Sequence, residues 1–176
     1  MSTSMMLIVK KDSNIKIAQY GSYDGSPLSQ GANIFKSLKS IDINAFKLKL
    51  DKCYFLEGKE EEIMRDAFNK PPSQTNIEIP ISIMEEASSI IEWIDISDEK
   101  IVLLNDIKYI DGCNYIYMVD FDSDKFKIYY NDFSKEFNED YLEIGNLKYK
   151  SCKQIVQFDL FNLAFWNEYY NKLHQA

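Results

Sequence analysis

The sequence predicts an α+β fold: a mainly antiparallel sheet, built from an N-terminal hairpin and a C-terminal meander, with helices packed on one face. Three observations carry this expectation. The chain opens with two short β-branched apolar runs around a turn; helical spacing then recurs from residue 32 to residue 95; and from residue 100 the period returns to strand-like runs. At 176 residues, with 45% hydrophobic and 14% aromatic side chains, the chain fits one domain, 1–176, that can bury a core and is too apolar to stay disordered.

Residues 5–10 and 14–21 form the predicted hairpin, with Asp12, Ser13 and Asn14 as the reversal. The following YGSYDGSPLSQG concentrates Gly, Ser and Pro and reads as a loop, in which Gly21, Gly25 and Gly31 allow positive φ or close backbone approach. Helical spacing covers 32–39, then 43–52 with Asp42 as its cap, then 59–68, which Pro71 and Pro72 terminate. In EEASSIIEWI, Ala87, Ile90, Ile91 and Ile94 recur at three and four, predicting one helix over 83–95 packed on the core.

Four strand-like runs follow: KIVLL, NYIYMVDF, KFKIYY and a stretch near 147–157. NYIYMVDF is apolar on both faces and therefore belongs in the middle of the sheet; Asp122, Ser123 and Asp124 turn it into KFKIYY. The chain closes on a helix in which Phe161, Phe165 and Tyr169 fall at spacing four. With Phe158, Trp166 and Tyr170, this tail carries more rings than one helix face can bury, which leaves one side for a partner.

Composition narrows the chemistry. The only histidine is His174, beside the C-terminus, so Ser-His-Asp, Cys-His and His-metal sites are not expected, and no cofactor or metal is predicted. Cys53, Cys113 and Cys152 lack paired spacing and read as buried, reduced thiols. Asp120, Asp122 and Asp124 imitate the start of a calcium loop, but Lys125 stands where glycine is needed and Asn131 where a bidentate carboxylate is needed, so a plain turn is expected. The apolar run MMLIV is too short for a signal or membrane segment, which predicts a cytoplasmic protein and no membrane partner.

Net charge is −8, distributed as +4 over residues 1–52, −14 over 53–145 and +2 over the remainder. Arg65 is the only arginine, so direct nucleic-acid binding through Lys36, Lys39, Lys47, Lys49 and Lys52 ranks below a solvated helix face. The acidic sets Glu57, Glu60, Glu61, Glu62, Asp66 and Glu136, Glu139, Asp140, Glu143 read either as solvated surface or as a carboxylate surface for a basic groove on a partner protein. The loop residues Tyr20, Tyr23, Asp24, Gly25 and Gly31 read either as a structural turn or as a small ligand site.

The N-terminal block MSTSMMLIVKKDSNIKIAQYGSYDGSPLSQG resembles a family of small, mostly uncharacterised proteins of bacteriophages and mobile elements, with fungal relatives. Its pattern is an opening Ser-Thr, a two-stranded hairpin, an aromatic-x-x-Asp-Gly-x-Pro-like loop, a further glycine and a helix; Tyr20, Asp24, Gly25, Pro27 and Gly31 stand at the matching positions, with Ser26 where an aromatic is usual. IYMVDFDSDKFKIYY and VQFDLFNLAFWNEY resemble two later stretches of the family. The resemblance implies a phage or prophage origin and no particular reaction.

Together these readings predict a phage- or prophage-derived, non-enzymatic binding protein. Its expected action is to inhibit a host nucleic-acid-handling defence effector, in the manner of an anti-CRISPR protein, through the acidic and aromatic surface. Two alternatives stand beside it: a small-ligand-binding protein or carboxylate-dependent hydrolase centred on the Asp-Gly loop, and a homo-oligomeric structural protein of a mobile element.

Overall fold

Pairing starts where the sequence is richest in β-branched and long apolar side chains. In the computed structural model, which describes residues 3–22, 24–75, 77–84, 86–87, 89–163 and 166–175, β1 (Met5–Lys11) and β2 (Asn14–Gly21) form the antiparallel hairpin. Asp12 and Ser13 at its tip both have positive φ, a conformation that short polar side chains tolerate better than branched ones. On its other side β1 pairs with β5 (Tyr115–Asp120), which turns into β6 (Lys125–Asn131). Long β8 (Leu147–Asp159) pairs with β6, and β7 (Tyr141–Ile144) forms the edge, giving the order β2-β1-β5-β6-β8-β7.

This is the predicted α+β arrangement, and NYIYMVDF is central as its two apolar faces required. Met5, Leu7, Val9, Tyr117, Val119, Phe126, Ile128 and Phe158 face the helices and belong to one buried core. Met6, Ile8, Ile116, Met118, Tyr129, Leu142, Ile144 and Cys152 face the other way and form a second, smaller core with Ile110 and Cys113. A curled sheet can bury its second face in this way, and register shifts at Ile128/Tyr129 and Tyr141/Leu142 mark irregularities of the kind that increase local bending.

Helices α1 (Ala32–Ser40) and α2 (Ile43–Lys49) supply Ile34, Phe35, Leu38, Ile43 and Phe46 to the main core. Asp42 caps α2 as predicted, accepting hydrogen bonds from the N–H groups of Asn44 (2.9 Å) and Ala45 (3.1 Å). α3 (Gly58–Phe68) lies to one side; its only buried residue is Ala67, which is not part of that core. At the other end of the chain α6 (Trp166–Gln175) places Tyr169 against Phe35 (ring centroids 4.7 Å apart) and Phe158 (5.3 Å), while the Tyr169 hydroxyl donates to the Pro27 carbonyl at 2.6 Å.

Several expectations require correction. The single helix over 83–95 is two, α4 (Ile81–Met84) and α5 (Ile90–Ile96), although Ala87, Ile90, Ile91 and Ile94 are all buried. Periodicity reported which residues face the core; it did not report whether the backbone between them is continuous. KIVLL is not part of the meander: β4 (Ile101–Leu103) pairs in parallel with β3 (Cys53–Phe55), an unpredicted strand, as a separate two-stranded sheet. The β1–β5 pair is also parallel, since the chain passes through all the helices between them. Part of the Gly-rich loop, Pro27–Gly31, is a π-helical turn running directly into α1. β7 lies within the acidic run that had no predicted strand. Phe161 precedes α6 instead of joining its face and is exposed, and Phe165 lies outside the described residues.

Candidate functional site

The site is assembled on α3. Its helix follows from a run of good helix formers, with Glu60 and Glu61 in the first turn and Arg65 in the last, the charge order that the helix dipole favours. Glu61 and Arg65 are four apart, hence on one face, and Arg65 Nε donates to Glu61 Oε1 at 2.7 Å. The guanidinium then reaches across 40 residues of sequence: Nη1 donates to Asp106 Oδ1 at 2.8 Å and Nη2 to the Asn105 carbonyl at 2.8 Å. Its planar fork suits this divided task, which a lysine could not perform.

Asp106 ties the pair to the sheet edge. Its Oδ2 accepts from the Tyr20 N–H at 3.1 Å and its own N–H donates to the Ala18 carbonyl at 2.9 Å, so β2 is held from outside by one residue. The Arg65 and Asp106 side chains are only 19% and 16% exposed. Tyr109 lies 5.8 Å from the guanidinium and 6.0 Å from the Tyr20 ring, centre to centre. The hydrogen bond from Arg65 is the main reason the Glu61 carboxyl is held below its ordinary value. Burial works against the charge on Arg65, and the bonds to Asp106 and Glu61 outweigh it and leave the guanidinium raised.

Beside this network is a cavity of about 430 Å³. Met5, Ile17, Ile83, Ala87 and Leu103 give it an apolar lining, while Arg65, Asp106, Glu86 and Gln30 add polar groups. Tyr20, Phe68 and Tyr109, three exposed large side chains, also line it. Gln30 Oε1 is buried without a hydrogen-bond partner among the described residues, an uncommon state for a buried amide oxygen. The Ser82 hydroxyl, also in the lining, donates to the Val102 carbonyl. What the arrangement offers is shape, apolar surface and a few polar groups.

The chain matches no protein-family model, no curated protein and no solved structure.

The structure divides the predicted loop site. Tyr20 lines the cavity, whereas Asp24, Gly25 and Gly31 do not, and Tyr23 lies outside the described residues. Asp24 has φ +35° and accepts from the Ser26 hydroxyl at 3.0 Å, an arrangement internal to the turn. Gly25 is buried, its N–H bonded to the Thr3 carbonyl at 2.7 Å and its carbonyl accepting from Tyr117 Oη at 2.7 Å. A Cβ on Gly31 would stand 2.6 Å from Tyr117 and 2.7 Å from the Tyr169 hydroxyl, so this glycine permits close packing.

The acidic residues fall into two places. Glu57, Glu60, Glu61, Glu62 and Asp66 belong to α3 or its N-cap, beside the β2 edge; Glu136, Glu139, Asp140 and Glu143 belong to β7 or the segment before it, at the other edge strand. Three are paired: Glu61 with Arg65 and Lys108, Asp66 with Lys70, and Glu143 with Lys148. Glu57, Glu60, Glu62, Glu136, Glu139 and Asp140 are exposed and have no ion-pair partner among the described residues.

Other sequence features have structural uses. Asp120 accepts from Lys127 at 2.8 Å and from the Ser123 hydroxyl at 2.7 Å, and Asp122 pairs with Lys10 at 3.0 Å and accepts from the Ser13 N–H at 2.9 Å. Lysine ammonium groups therefore stand beside two of the three carboxylates of the calcium-like run, those of Asp120 and Asp122. Burial raises the Asp120 carboxyl, but those two hydrogen bonds bring it below its ordinary value. Lys49 and Lys52 donate to the carbonyls of Asp95 and Asp98, at and beyond the C-terminal end of α5, and Lys47 to that of Phe121.

The cavity is not legible in the sequence because six separated segments contribute its lining: residues 5, 17–22, 30, 65–69, 82–87 and 103–109. One signal was present: a lone arginine in an acidic chain, four residues after a glutamate.

Proposed function

We propose that the protein is a non-enzymatic binding protein whose ligand site is the cleft between α3, the β2 edge and Tyr109. The carrying observation is the cavity of about 430 Å³, apolar in its floor and bearing a few fixed polar groups. Its size falls within the roughly 300–1,000 Å³ usual for small-molecule sites. The alternative centred on the Asp-Gly loop is thereby moved to a neighbouring place that keeps Tyr20 and replaces Asp24 with Arg65 and Asp106. Native mass spectrometry of the protein purified from its own host tests this: a stoichiometric small molecule, lost in Phe68→Ala or Tyr109→Ala, is expected. A chain without any bound molecule that also ignores a diverse fragment set in thermal-shift assays refutes it.

A second reading is supported by the six exposed carboxylates at the two sheet edges that have no ion-pair partner among the described residues. In it the protein is of phage or prophage origin, acts in the host cytoplasm and inhibits a nucleic-acid-handling defence effector, as anti-CRISPR proteins do. Among the described residues no helix is long and apolar enough to cross a membrane. The test is inhibition of the host's guided nucleases by the purified chain across a salt series. Inhibition that fades as salt screens the carboxylates is expected, and salt-independent inhibition or none removes this reading.

A further inference from the structure

The charge of the cleft defines the chemistry of its ligand, an inference that rests on the cleft being the binding site. Arg65 does not make it an anion site. Three of its five N–H donors are committed to Glu61, Asp106 and the Asn105 carbonyl, and its single charge faces two carboxylates. Asp106 is equally committed, one oxygen to Arg65 and the other to the Tyr20 N–H. The charge left over in the lining is that of Glu86, exposed and without an ion-pair partner among the described residues. Outside the lining, α3 and its N-cap carry Glu57, Glu60 and Glu62 against Lys59, and Lys108 beside Tyr109 is paired with Glu61, so acid outnumbers base around the cleft and the field favours cations over anions.

The rest of the lining specifies an apolar body. Phe68, Ile83, Ala87, Leu103 and Met5 offer no hydrogen bonds through their side chains, and Gln30 Oε1 adds a further acceptor in the wall. We infer that the cleft binds an amine: an ammonium group on a compact apolar or aromatic body, the nitrogen directed to Glu86 and the body against Phe68 and Ile83. A free small amine and the lysine side chain of a protein share this chemistry.

The experiment compares three compounds of similar shape, phenethylamine, 2-phenylethanol and phenylacetate, with N-acetyl-lysine methylamide as a fourth probe, by two-dimensional NMR titration of the full chain. The amines are expected to bind best, with shifts concentrated at Tyr20, Phe68 and Tyr109. Tighter binding of phenethylamine identifies a free amine as the source, and tighter binding of the lysine derivative identifies a side chain. Glu86→Gln, at an exposed position that leaves the fold intact, should weaken either about tenfold, as expected for one charge-assisted hydrogen bond. Equal or better binding of the alcohol or the acid, or no loss in Glu86→Gln, overturns the amine assignment and leaves the cleft standing. No binding by any of the four overturns both.

Discussion

Replacing Asp106 by Ala removes the carboxylate that hydrogen-bonds both Arg65 of α3 and the backbone of β2. The variant loses the 2.8 Å bond from Arg65 Nη1 and the 3.1 Å bond from the Tyr20 N–H. Arg65 keeps Glu61 and the Asn105 carbonyl, so it is not stranded as an unpaired buried charge, whose cost would reach about 3–5 kcal/mol. The pair is less exposed than a surface ion pair worth at most about 1 kcal/mol. The Tyr20 N–H lies where water can replace the lost acceptor. Between these bounds the expected loss is about 2 kcal/mol, which for a chain of this size lowers Tm by about 4–8 °C. Chemical denaturation should report the same loss in midpoint at unchanged m-value. Asp66→Ala serves as the control: Asp66 is an α3 carboxylate paired with Lys70, but both side chains are well exposed, and about 0.5 kcal/mol or less is expected. A double-mutant cycle of Asp106→Ala with Arg65→Met should give a coupling of about 1 kcal/mol or more. If Asp106→Ala costs no more than Asp66→Ala, this network does not hold the cleft's wall.

Gly31→Ala should destabilise by about 1–3 kcal/mol or more through overpacking against Tyr117 and Tyr169, whereas Gly112→Ala, with open space around its Cβ, should be close to neutral in the same melts. Asp42→Ala should cost about 1 kcal/mol through loss of the α2 cap, measurable by urea denaturation. Burial pushes the Cys53 and Cys113 thiols up to about 12 and the Cys152 thiol to about 11, so all three should resist a thiol reagent at pH 8 and react together in denaturant. Unfolded thiols ionise near their ordinary value of 9.0 while the folded ones stay neutral, so stability should fall as pH rises above 9; a flat profile from pH 9 to 11 would contradict their burial. At the acid end, Glu61, Asp120 and Asp122 have carboxyls lowered in the folded state, the first chiefly by Arg65 and the others by lysine bonds that outweigh burial. Their contribution is complete above the ordinary values of 4.5 and 3.8 and is lost as pH falls through the lower folded values, which an acid titration followed by circular dichroism should show.

The sequence by itself determined the local and periodic features. The first hairpin, the Asp42 cap, the break at Pro71 and the central place of NYIYMVDF all depend on residues within a few positions of each other: turn formers, a cap and two apolar faces. It also determined that Ala87, Ile90, Ile91 and Ile94 are core, since burial follows periodicity even across a broken helix. Only the tertiary structure decided the parallel partners. Cys53–Phe55 and Ile101–Leu103 are three residues each, too short to carry a pattern, and their pairing spans almost 50 positions. The same holds for the cleft. Arg65 meets Asp106 and Tyr109 because α3 is set beside the β2 edge, and the free energy that sets it there comes from contacts distributed over the whole fold. The glycines show both limits at once: sequence could say that Gly25 and Gly31 matter, but whether the reason was a ligand or close packing, against Met5 and the Thr3 carbonyl for Gly25 and against Tyr117 and Tyr169 for Gly31, depended on what the folded chain brings against them.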